Sequence, residues 1–148
     1  MMVAVADAIA VYDANKTLCS QCIVELGCER NSITDVVLMS ITRKLRTNSS
    51  MHTLHLGRNS FTHDGIIYLA DALKTNNTLE VLSLTGNNAI GDEGAKFLGQ
   101  ALKYNTTLKT LLLKKCGISD LGEAYLIEGL YSNTSSPDGM LKTSIIPC

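Results

Sequence analysis

Leu79–Thr107 reads LEVLSLTGNNAIGDEGAKFLGQALKYNTT. Its opening L-x-x-L-x-L alternates, placing Leu82 and Leu84 on one face of a short strand with a single buried side. The second half changes period. Ile90, Gly94, Leu98 and Leu102 stand four apart and form one stripe of a helix. The stretch is therefore strand, turn, helix, turn.

The same sentence is written three more times. MHTLHLGRNSFTHDGIIYLADALKTNN starts at Met51, LKTLLLKKCGISDLGEAYLIEGLYSNTS runs over Leu108–Ser135, and a weaker copy, IVELGCERNSITDVVLMSITRKLRTNSS, covers Ile23–Ser50. The units are 23–50, 51–78, 79–107 and 108–135, and the one extra residue of the third lies in the Asn87–Ile90 turn. Within them Phe61, Gly65, Leu69, Leu73 and Ile118, Gly122, Leu126, Leu130 repeat the helical stripe, as do Ile33, Val37, Ile41, Leu45. An Asn-or-Cys column (Asn31, Asn59, Asn87, Cys116) marks the bend after each strand, where an Asn side chain bonds backbone groups. Thr34, Thr62 and Ser119 stand where N-caps belong. Asp35, Asp64, Asp92 and Asp120 read as helix-start charges. Gly65, Gly94 and Gly122 allow the helix backbone to approach the strand layer.

A constant period of 28 or 29 residues predicts a solenoid: stacked units, parallel strands on the concave side, helices on the convex side, α/β in class. The pattern L-x-x-L-x-L-x-x-N-x-I-x-x-x-G-A-x-x-L-x-x-A-L-x-x-N resembles the ribonuclease-inhibitor type of leucine-rich repeat, a right-handed β-α superhelix. The GDEGAKFLGQAL helix is similar to the C-terminal repeats of NOD-like receptors and of the Ran GTPase-activating protein. The resemblance covers about 23–135 and implies a fold; the scaffold serves many partners.

Both ends depart from it. Residues 1–22 read as an irregular N-terminal helix or cap, and 136–148, with Pro137, Gly139 and Pro147, as an irregular tail. Solenoids need polar caps. Either the tail folds over the end, or the chain is a fragment or truncated product; an uncapped end leaves end-to-end self-association open.

Composition narrows function. The 148 residues carry a net charge of -1, so neither a phosphate-tracking nucleic-acid binder nor a polybasic membrane anchor is expected. Five Tyr, two Phe and no Trp offer little for base stacking. Twenty-one leucines serve the repeat. No window reaches the ~20 apolar residues of a membrane span, and no export signal is visible. Five cysteines (19, 22, 28, 116, 148) then read as reduced thiols in a cytoplasmic protein. Cys19-Ser-Gln-Cys22 lacks the second ligand pair a zinc site needs. Five Asn-x-Ser/Thr sequons (Asn15, Asn48, Asn76, Asn105, Asn133) are explained by the repeat, since four share one loop position. His52, His55 and His63 have no carboxylate or nucleophile placed to complete a catalytic unit. Nucleotide-binding and hydrolase motifs are lacking. No enzyme, cofactor or metal is expected.

What remains is the concave face. Alternation along each strand exposes the columns Glu25, Thr53, Val81, Thr110; Gly27, His55, Ser83, Leu112; and Glu29, Gly57, Thr85, Lys114, with Arg58 and Lys115 flanking the last. The face runs from acidic to basic. Leu112 is the large apolar residue at its centre and suits an interface anchor. The expected function is non-enzymatic protein binding through Glu25, Thr53, His55, Arg58, Val81, Ser83, Thr85, Thr110, Leu112, Lys114 and Lys115. The resemblance to the Ran activator implies a second class, regulation of a small GTPase, in which Arg30 and Arg58 would be the residues offered from turns.

Overall fold

Each unit folds as its two periods dictate. In this computed structural model residues 25–133 and the backbone of 144–146 are described. Strands β1 (Glu25–Gly27), β2 (Thr53–His55), β3 (Val81–Ser83), β4 (Thr110–Leu112) and β5 (Ser144–Ile146) form one parallel sheet in chain order. Helices α1 (Asp35–Leu45), α2 (His63–Thr75), α3 (Gly91–Leu102) and α4 (Asp120–Tyr131) form a second layer, each packing on its sequence neighbours.

Leu54, Leu82 and Leu111, in register across the sheet, are fully buried, as are Ile41, Leu69 and Leu98 from the helical stripe. Burying each such side chain contributes about 2 kcal/mol, and no unit closes this core alone. The sheet ladder runs on past the strands: the amides of Arg30 and Arg58 donate to the Gly57 and Thr85 carbonyls at 3.1 and 2.8 Å.

Two asparagine columns tie unit to unit. At the bend, Asn59 Nδ2 donates to the Cys28 and Leu56 carbonyls, and its Oδ1 accepts from the Asn31 and Ile33 amides. In the helix-to-strand loops, Asn105 Nδ2 donates to the Leu73 and Asn76 carbonyls, while Oδ1 accepts from Thr107 and Leu108. Asn76 repeats that pattern, and Asn133 Nδ2 likewise donates to the Leu102 and Asn105 carbonyls. Asn48, Asn76, Asn105 and Asn133 are all at most 5% exposed, so these four sequons are closed to glycosylation in the folded chain. Asn15, like Cys19 and Cys22 and the expected N-terminal cap at 1–22, lies outside the described residues.

Two expectations are corrected. The tail contains a strand, with Ile145 paired to Leu111. The step between them is 34 residues where the repeat takes 28 or 29, and no L-x-x-L-x-L announces it; a Ser-Ile-Ile run with β-branched residues is enough to extend a sheet already in place. Asp35 and Asp92 do more than serve their own helix. Asp35 accepts from the Thr62 amide and hydroxyl and the Gly65 amide, so it caps the following helix. Thr62 and Ser119 cap their helices through Asp64 N and Leu121 N; Thr34 stands at the N-cap position without that bond.

Candidate functional site

The open face of the sheet carries the expected columns in the expected order. Glu25, Thr53, Val81 and Thr110 are direct neighbours, and so are Gly27, His55, Ser83 and Leu112. Parallel strands stand about 4.8 Å apart, so each column is a continuous row of side chains. Glu25, Arg58, Lys114 and Lys115 are exposed; Thr53, His55, Val81, Thr85, Thr110 and Leu112 are half-buried. Ser83 is only 4% exposed. A small side chain between His55 and Leu112 becomes the floor of its row, so it presents no contact surface and leaves the candidate set on that ground.

The electrostatics are local. His55 Nε2 lies 3.0 Å from Glu25 Oε1. This supplies the carboxylate partner that sequence reasoning did not find, because it comes from the neighbouring unit. His52 Nδ1 instead lies 2.8 Å from the Ser50 carbonyl, and His63 pairs with Asp64 on the helix side. One position before the first column, Lys109 Nζ meets Glu80 Oε2 at 2.7 Å, and this contact holds the Glu80 carboxyl below the usual carboxylate range. Cys28 and Cys116 are buried, and Cys116 Sγ lies 3.2 Å from the Leu84 carbonyl; burial pushes Cys28 up to about 11, so it is a core residue in chemistry as in position. Among the described residues no group of three or more His, Cys, Asp and Glu is placed to hold a metal ion. Among them, too, no helix is long and apolar enough to cross a membrane.

At the far end of the strands the structure adds what the sequence reading missed. The residues before the turn Asn/Cys column are Arg30, Arg58, Gly86 and Lys115, all left-handed, with φ of 57°, 53°, 84° and 57°. Between Arg58 and Lys115 an open groove of about 590 Å³ is lined by those two cations with Gly86, Asn88 and Gly117. Reading Gly86 in the Arg30/Arg58/Lys115 column would have located it.

Stacked strand-helix units, an all-parallel sheet in chain order and asparagine columns bonding across units define a leucine-rich repeat α/β solenoid. Three stretches, residues 47–70, 75–99 and 104–122, match the family model described as Leucine Rich repeat. Among solved structures, the chain is similar to Leiomodin-1 Actin-Binding Site 2, with a TM-score of 0.71 and 23% identity over 90% of this chain and 73% of that one. That likeness is one of fold. No curated protein matches it by sequence.

Proposed function

We propose that this chain is a non-enzymatic protein-interaction module that engages its partner through the open face of the sheet. One observation carries the reading: four units bring Glu25, Thr53, Val81 and Thr110 into a single register, so one exposed and three half-buried side chains become one ordered surface. Its backbone is fixed by the interunit ladder, so little ordering entropy is lost on binding. Leu112, half-buried in the row between Ser83 and Ile146, supplies the apolar anchor.

Actin is the first partner to test, because the similar structure named above is an actin-binding site of leiomodin-1. A photoreactive residue placed at Thr53, Thr85 or Thr110 should give a crosslink of defined mass with actin or another isolated partner. The same residue at Arg43 or Gln100 on the helix side should give none. Equal capture from both sides would overturn the reading, as would undiminished binding by a folded Leu112→Glu, His55→Ala double variant.

A second reading, regulation of a small GTPase, draws on Arg30 and Arg58, both exposed at left-handed turns. Faster phosphate release by a Ran-type GTPase, lost on Arg58→Ala, supports it; no acceleration ends it. End-to-end self-association is not part of the proposal. The column of Gly65, Gly94 and Gly122 holds Val37 in the first unit. A Cβ at Gly65 or Gly122 would collide with the carboxylate reaching from the preceding unit. We therefore expect a monomer, and sedimentation tests this.

A further inference from the structure

We propose that the outward face of α4 is a second binding surface, one that takes a basic amphipathic helix of another protein. The inference goes beyond the sheet-face reading and does not depend on it.

α4 turns one side to α3, where Gly122 and Gly129 let the two backbones approach. At 3.6 residues per turn, Ala124, Ile127 and Tyr131 fall on the opposite side. All three are exposed there, Ile127 to 48% and Tyr131 to 86%. In α1, α2 and α3 the corresponding side is covered by the next helix. The core also comes nearer the surface at this end. Leu130 is half-buried, whereas Leu45, Leu73 and Leu102, at its place in the other units, are at most 1% exposed. A stripe of this kind, continuous with a core and spanning one helix length, suits a helix laid alongside.

Charge selects the helix. The ionised side chains of α4 are Asp120, Glu123 and Glu128, all acidic, while α1, α2 and α3 each carry at least one cation. These carboxylates flank the apolar stripe, Glu123 on one side and Glu128 on the other. Asp120 stands in the column of Asp35 and Asp92, each of which takes a hydroxyl and amides from the neighbouring helix. The face is therefore apolar in the middle and acceptor-rich at its margins.

An uncharged helix would desolvate the flanking carboxylates without partners. α4 of a second copy would set like charges together. α1 of a second copy is basic, but Val37 stands where Gly65, Gly94 and Gly122 admit a neighbouring helix. Anionic membranes and nucleic acid are repelled by this sign of charge. Lysines or arginines on either side of a leucine stripe meet every feature.

The test is an amide NMR titration of the full chain with a peptide of about 18 residues, long enough to hold a helix, with one leucine stripe bordered by lysines. Shifts should concentrate on Ala124, Ile127 and Tyr131. Ile127→Ser should weaken binding about tenfold. Ile67→Ser, which removes a comparably exposed isoleucine from α2, should leave it within about twofold. Glu123→Gln with Glu128→Gln should weaken it about fivefold and flatten its salt dependence. Unmoved Leu54 and Leu82 amides certify folding of each variant. Equal losses from Ile127→Ser and Ile67→Ser, shifts centred elsewhere, or no shifts would overturn the proposal. So would equal binding of a peptide with glutamate in place of every lysine, or sedimentation of the chain alone as a dimer that Ile127→Ser dissociates. Photocrosslinking from Thr53 to an isolated partner should be unchanged by Ile127→Ser, so each surface stands or falls separately.

Discussion

Asp92 of α3 accepts both the amide and the hydroxyl of Ser119 at 2.7 Å, and the Gly122 amide at 3.2 Å, so α4 is capped by a carboxylate from the preceding unit. The Ser119 hydroxyl and then its amide hold the Asp92 carboxyl below the usual carboxylate range. A group whose pKa is lower folded than unfolded stabilises the fold above its unfolded value and loses that contribution as pH falls through the folded one. Asp92→Asn should therefore lower Tm by a few degrees at neutral pH. The gap from the parent chain should close as the pH drops well below about 4. Melts at pH 7 and pH 2.5 check this; a gap unchanged at low pH would mean the side chain acts by packing alone.

Asn105 makes four hydrogen bonds while 2% exposed. Asn105→Ala orphans two carbonyls and two amides, each costing about 1 kcal/mol or more when buried. Urea unfolding should show a loss of about 3–4 kcal/mol, against about 0.5 kcal/mol or less for the exposed Asn77→Ala.

Gly99 and Gly129 face each other where α3 crosses α4, and a Cβ on either would run into backbone: the Tyr125 carbonyl for Gly99, the Gly99 carbonyl for Gly129. In an exposed helix Gly→Ala gains about 1 kcal/mol. Here overpacking reverses the sign, and Gly99→Ala should cost about 1–3 kcal/mol in denaturant midpoint analysis. Gly27, with nothing within 4 Å of a built Cβ, should accept Ala without loss.

Arg58→Gly removes a left-handed non-glycine residue and should stabilise the fold by about 1 kcal/mol, net of the freedom glycine adds to the unfolded chain. A higher melting temperature is the expected outcome; a fall would place Arg58 among structural residues.

Cys28, buried and shifted to about 11, carries at pH 8 only about one thiolate in a thousand. Peptide mapping after alkylation should find Cys28 and Cys116 unlabelled in the native chain and labelled together on unfolding. Rapid native labelling of Cys28 would refute its burial.

The fold was legible because its signals are short in range. Alternation in Leu82-x-Leu84 and the four-residue stripe through Leu98 and Leu102 each declare one element, and repetition declares the stack. The columns of the open face followed from register alone. What escaped reading involves partners a whole unit away. Asp92 looks like a first-turn charge until Ser119, 27 residues on, is beside it. Glu25 pairs with His55 across 30 positions. Ser83 alternates outward like its neighbours, and only the bulk of the residues on either side buries it. β5 broke the period and was invisible to it.

The carboxylate that reaches forward from each unit meets a hydroxyl at the first and third boundaries, Asp35 with Thr62 and Asp92 with Ser119. At the second boundary both members differ: His63 stands in the aspartate column and Gly91 in the hydroxyl column, its amide donating to Cys116 O at 3.0 Å. The units are thus keyed in their order. Exchanging the second and third would set Asp35 against Gly91 and His63 against Ser119, while inserting a further copy of the two together would keep every junction matched. Lengthening of this chain by duplication of its middle units, in evolution or at the bench, should go forward two units at a time.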